Sequence, residues 1–137
     1  MRLPQKIIDA NVILRFFLAD EPKQFQKAKS FFERIELGEE EVLLTEIIFV
    51  EVIWVLHKVY EIPRQDISEK ISKFIYFKGL KTILEKELFI ESLKHYALSS
   101  IDIQDIFLAV LAKRKNGIVI TFDRSDFKKF EMNFSEP

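Results

Sequence analysis

The chain has 137 residues, 22 acidic and 21 basic side chains for a net charge of −1, and no cysteine. Disulfides, thiolate zinc sites and a cysteine nucleophile are therefore excluded, and the balanced charge does not advertise a polyanion-binding surface. Apolar residues make up 48% and Phe alone contributes 14, enough to fill the core of a single domain spanning residues 1–137.

Lys6-Ile7-Ile8-Asp9 is a short apolar run that ends in an acid. No apolar leader precedes Lys6, so a cytoplasmic protein without a signal peptide is expected. Asn11 is expected to cap a first helix with Val12, Ile13, Phe16 and Phe17 on its apolar face. Asp9 then falls at a strand-to-helix turn. Pro22 opens a second helix, which Gly38 stops near Leu37. Glu39 to Glu41 reads as a solvated turn.

Val42-Leu43-Leu44 is the next strand, and Thr45 caps a helix from Glu46 to about Tyr60. That helix is apolar almost all round, so burial by the core or by a second copy of the chain is expected. Ile53 reads as an interface position of a homodimer. Glu51 interrupts the run in mid-helix, too early for a membrane span. A buried carboxylate there would demand a cationic partner. Pro63 starts a helix that Gly79 ends, Leu80 to Leu84 is a third strand, and Glu85 to Leu98 is helical.

Four carboxylates then fall in two clusters, Asp102 with Asp105 and Asp123 with Asp126. Ile103, Ile106, Phe107, Val110 and Leu111 recur at helical spacing, with Asp102 as the expected cap and Asn116-Gly117 as the stop. Asp105 shares a helix face with Ala109 and Ala112, whose small side chains allow close approach to a sheet. Ile118 to Thr121 reads as a strand buried on both faces, with Asp123 just past its carboxyl end. Ligands of open α/β sheets bind at that end. Asp126 either caps a last turn near Phe127 to Phe130 or shares the role of Asp123. The tail from Glu131 to Pro137 reads as an edge segment or a frayed end. Strands alternating with helices predict an α/β sandwich of three layers, helices covering both faces of a mostly parallel central sheet.

Asp9, Glu51, Asp105 and Asp123 are the candidate catalytic and metal-binding residues. Glu46, in a first helical turn, reads as peripheral. Asn11, Thr121, Asp102 and Asp126 are candidate supports, and Arg15, Lys113 and Arg124 candidate cations on the rim of the site. His57 and His95 lack metal-ligand spacing and read as ordinary residues. An all-oxygen site suits Mg²⁺ or Mn²⁺, which lower the pKa of bound water and stabilise a leaving oxygen in phosphodiester hydrolysis. No Gly-rich phosphate loop is present, which argues against a nucleoside-triphosphatase.

Ile8-Asp9-Ala10-Asn11-Val12-Ile13-Leu14-Arg15, Glu51 in its apolar helix, Asp105-Ile-Phe-Leu-Ala and Thr121-Phe-Asp123 resemble, in order, the four motifs of PIN-domain nucleases, and within them the VapC-type toxins. The resemblance implies a PIN-like fold, Asp9, Glu51, Asp105 and Asp123 as the metal-binding acids, and Mg²⁺- or Mn²⁺-dependent cutting of RNA. It further implies a homodimer inhibited by a small antitoxin protein. Ala10 departs from the pattern, where many members carry Thr or Ser. Two other readings compete: a non-catalytic PIN-like module that binds RNA or protein, and a phosphoacceptor receiver-like domain. The second needs an Asp after its middle strand, and Leu80 to Leu84 offers none.

Overall fold

The computed structural model describes residues 2–130 and 133–137, and of Asp126 the backbone only. Helices α1 (Ala10–Leu18), α2 (Pro22–Leu37), α3 (Glu46–Lys58), α4 (Arg64–Ile75), α5 (Lys86–Leu98) and α6 (Ile103–Arg114) alternate with strands β1 (Val42–Leu43), β2 (Leu80–Lys81) and β3 (Val119–Ile120). A short α7 (Arg124–Phe127), a 3₁₀ turn (Lys128–Phe130) and β4 (Phe134–Ser135) close the described chain. No helix among the described residues is long and apolar enough to cross a membrane.

The strands pair in parallel, β1 with β2 through Val42 opposite Leu80, and β3 with β4 through Val119 opposite Phe134. Ile7 adds a parallel bridge to Leu43. There the Ile8 N–H donates to the Leu43 carbonyl at 3.1 Å and the Leu43 N–H to the Lys6 carbonyl at 2.8 Å. The α/β class and parallel pairing thus follow the sequence expectation, but the described strands form two separate groups. The tail supplies the edge strand β4; Glu131 and Met132 lie outside the described residues.

Local chemistry explains the element boundaries. Glu21 accepts the Gln24 N–H at 3.0 Å ahead of Pro22, and Gly38, at φ 80°, ends α2 in the left-handed conformation. Thr45 accepts the Ile48 N–H at 3.4 Å at the start of α3. Gly79 does not end α4, which stops at Ile75. Its role is close approach: a Cβ at Gly79 would collide with the Glu40 carbonyl. Asn116, at φ 53°, takes the left-handed position after α6, with Gly117 merely following. Asn tolerates that region through its short polar side chain.

The core is aromatic, with Phe32 stacked between Phe16 at 4.2 Å and Phe74 at 4.8 Å. Helix α3 contributes Phe49, Val52, Ile53 and Leu56. It is not buried on every face. Ile47 is 80% exposed and Trp54 52%, and Glu51 and Lys58 lie exposed on the same stripe. Glu51 is therefore solvated and calls for no buried cation; it makes no ion pair among the described residues. Ile53 is fully buried and is core, not interface. Strand β3 is likewise buried on one face only: Val119 is covered while Ile118 and Ile120 are about 60% exposed.

Candidate active site

The candidate acids sit on elements that touch in succession. α1 packs on α3, α3 on α6, and α6 on both β3 and α7. Asp9 occupies the N-cap of α1, directly after the Ile7–Leu43 bridge. Its carboxylate makes no capping bond and is exposed. Asn11, expected as the cap, lies inside the helix with its side chain exposed. The sequence folds this way because Ile8 and Ala10, on either side of Asp9, are both buried. They pin the turn and turn Asp9 outward.

Glu51 projects from the middle of α3 into solvent. Asp105 lies half-buried in the first turn of α6. The small-residue stripe acts as expected: Ala109 is buried in a cluster with Val119 and Phe127, and Ala112 packs beside it. That close approach sets the Asp105 face of α6 against the strand that leads to Asp123. Asp102 is the N-cap residue of α6 but its side chain makes no capping bond.

Asp123 is exposed and held by a tight local network. Its N–H donates to Thr121 Oγ1 at 2.9 Å, and its Oδ1 accepts from Ser125 Oγ at 3.0 Å. Thr121 therefore shapes the backbone around Asp123, a turn of the kind hydroxyl residues favour. Ser125 was not visible as a partner in sequence; a hydroxyl two residues after an acid is its only signal. The supporting role expected of Asp126 concerns a side chain outside the described ones.

The cationic candidates divide. Arg15 pairs with Asp20 at 3.4 Å and Arg124 with Glu136 at 3.5 Å, whereas Lys113 is exposed and makes no ion pair among the described residues. The histidines keep local contacts. His57 Nδ1 lies 3.1 Å from the Ile62 carbonyl, and His95 meets Phe130 edge-on at 5.6 Å.

Arg64 was missed in the sequence, and it fixes the start of α6. Its Nη1 donates to the Ile101 carbonyl at 2.7 Å and to the Tyr96 carbonyl at 3.3 Å, and its guanidinium lies 4.1 Å from the Tyr96 ring centre. A cation in the first turn of a helix opposes the dipole. Arg64 tolerates that position because it clamps the α5–α6 connection. Burial pushes the Tyr96 hydroxyl above its ordinary pKa, with Arg64 opposing and Asp102 reinforcing the shift.

A PIN-domain model matches residues 6–131. The chain belongs to the PIN-domain family. It is also 30% identical, over 96% of either chain, to a VapC ribonuclease of Aquifex aeolicus (strain VF5). The PIN match runs from before Asp9 to beyond Asp123 and so takes in all four candidate acids.

Whether these residues suit a divalent ion is a matter of donor chemistry. Among the described residues, no three Asp, Glu or His side chains form a group that would hold a metal ion by themselves. The four acids expected from the sequence to share one or two hydrated ions thus form no ready-made cluster among the described residues. Mg²⁺, however, keeps several waters and is usually held by one or two carboxylates together with substrate phosphates. Exposed, all-oxygen donors on adjoining elements fit that mode, and they do not fit zinc, which favours His and Cys.

Proposed function

We propose that this PIN-domain chain is a metal-dependent endoribonuclease that hydrolyses phosphodiester bonds in single-stranded RNA. In the same reading it is the cytoplasmic toxin of a toxin–antitoxin pair. The observation that carries the proposal is an exposed, buttressed Asp123 at a strand end, beside a helix that packs against that strand and carries Asp105. The VapC ribonuclease relative supports RNA as the substrate.

In this reading residues 1–137 form one PIN domain, and its two strand groups are halves of a single parallel sheet in a three-layer sandwich. Asp9, Asp105 and Asp123 would supply Mg²⁺ or Mn²⁺ with carboxylates one or two at a time, water and substrate phosphate oxygens taking the other positions. Such an ion, when bound, lowers the pKa of water and stabilises the leaving oxygen. Glu51 orients the attacking water and accepts its proton. Thr121 and Ser125 keep Asp123 in place. Asn11 and Asp102 border the acids, and Asp126 is assigned a share in the work of Asp123. Lys113, Arg15 and Arg124 meet the phosphates. The exposed Ile47–Trp54 stripe of α3 is the contact of a homodimer, and a small antitoxin protein is the expected inhibitor.

The test is a labelled single-stranded RNA incubated with Mg²⁺, with Mn²⁺ and with chelator. Asp9→Asn and Asp123→Asn should each lower the rate on the order of a thousandfold, several kcal/mol of transition-state stabilisation. An unchanged rate in both variants, or RNA bound and never cut, would overturn the catalytic reading.

A further inference from the structure

A cavity of about 400 Å³ opens between α1 and α2, lined by Asn11, Val12, Arg15, Gln24, Lys27 and Phe31 among others. That volume lies within the range of small-ligand pockets. We propose that it is a nucleotide subsite, which takes the base and phosphate of one nucleotide of a single strand whose neighbouring linkage lies at Asp9; this deepens, and rests on, the nuclease reading.

Position comes first. Asp9 is the N-cap of α1, and Asn11, Val12 and Arg15 follow on the same helix. Arg15 lies six residues beyond Asp9, roughly 9 Å along the axis. In this proposal a strand engaged at Asp9 enters the cavity with its adjacent nucleotide.

Chemistry comes second. Phe31 and Val12 offer apolar wall, and an aromatic ring accepts any base by stacking. Asn11 and Gln24 offer exposed side-chain amides, which both donate and accept along a base edge. Lys27 is exposed and makes no ion pair among the described residues. Arg34 adds positive charge 5.6 Å from the Phe31 ring centre.

The third observation is a cation that is incompletely satisfied. Arg15 Nε is buried without a hydrogen-bond partner among the described residues. Leaving such a group unpaired is costly, because the bond to water is lost and not replaced. The same guanidinium holds Asp20 at only 3.4 Å through Nη1. About a quarter of the Arg15 side chain stays exposed, and that part, not the buried Nε, is what a phosphate oxygen entering the cavity meets. The nearby acids do not compete strongly: Asp20 is engaged by Arg15, and Glu21 accepts the Gln24 N–H at 3.0 Å.

The experiment uses the full chain and a fluorescein-labelled single-stranded oligoribonucleotide. Affinity is read by anisotropy in chelator, then cleavage kinetics are read with Mg²⁺. Lys27→Glu should weaken binding about tenfold and flatten the salt dependence of log K by roughly 0.7 to 1 per charge lost. Phe31→Leu should weaken it about tenfold and Phe31→Tyr restore it. In cleavage, KM should rise with kcat unchanged, because uniform binding has been removed. Variants that bind and cut like the parent overturn the subsite while leaving the nuclease reading intact. Binding that depends on Lys27 and Phe31 in a parent that never cuts supports the subsite and overturns the nuclease reading.

Discussion

Replacing Arg64 by Met should loosen the start of α6 and with it Asp105. Met keeps most of the aliphatic stem and removes every donor. Two carbonyls lose their partner: Ile101, bonded at 2.7 Å, and Tyr96, at 3.3 Å. A hydrogen bond from a charged group contributes about 1.5–3 kcal/mol, and the longer bond belongs below that range. The guanidinium 4.1 Å from the Tyr96 ring centre adds about 1 kcal/mol. The sum is about 3 kcal/mol, which for a chain of this size lowers Tm by roughly 10 °C. Equilibrium urea unfolding measures it as a lower midpoint at unchanged slope. Because Ile101 immediately precedes Asp102, the N-cap residue of α6, the variant should also lose cleavage rate. A loss of less than about 1 kcal/mol would mean that water replaces the clamp, and the reasoning would fail.

Mg²⁺ or Mn²⁺ should raise Tm of the parent, since a ligand of the folded state stabilises it. Asp105→Asn should abolish that rise without lowering Tm in chelator; a large loss in chelator would make Asp105 a structural residue. Trp54→Glu should convert dimer to monomer in sedimentation while the chain stays folded, whereas Ile53→Glu, which charges a fully buried site, should unfold it. A parent already monomeric at micromolar concentration refutes the dimer. The Tyr96 hydroxyl, raised by burial, keeps its proton longer folded than unfolded. Its contribution to stability is therefore present below about pH 10 and lost as pH rises through the folded value. Asp102→Asn removes one cause of the rise, so a spectroscopic titration should show Tyr96 ionising earlier, and an unchanged curve would contradict the assignment.

What the sequence made legible was local. Pro22 and Gly38 bound α2 because backbone geometry at both positions is fixed by the residue itself. Asp9 and Asp123 stand out because an acid directly after an apolar run marks the end of a strand. The Ala109 stripe betrays close packing by size alone. Contacts distant in sequence stayed hidden. Arg64 meets Ile101 across 37 positions, and no local pattern announces it. Helix α3 misled for a related reason: Ile47 and Trp54 are as apolar as Phe49 and Ile53, and only tertiary packing decides which face meets the core. The same uncertainty made Glu51 look buried when it is exposed. Asp102 occupies a capping position without a capping bond, since position constrains backbone more tightly than side-chain rotamer.

The most direct measurement is the identity of the ends left on a cut RNA. Water delivered by an acid-held ion breaks the bond without the 2′-hydroxyl. The products should then carry 5′-phosphate and 3′-hydroxyl groups, appear with Mg²⁺ or Mn²⁺, and vanish with chelator. Cleavage through the 2′-hydroxyl needs a general base and acid instead; His57 is engaged at the Ile62 carbonyl, and His95 lies exposed beside Phe130. Cutting that survives chelator, or 2′,3′-cyclic phosphate ends, would contradict the account.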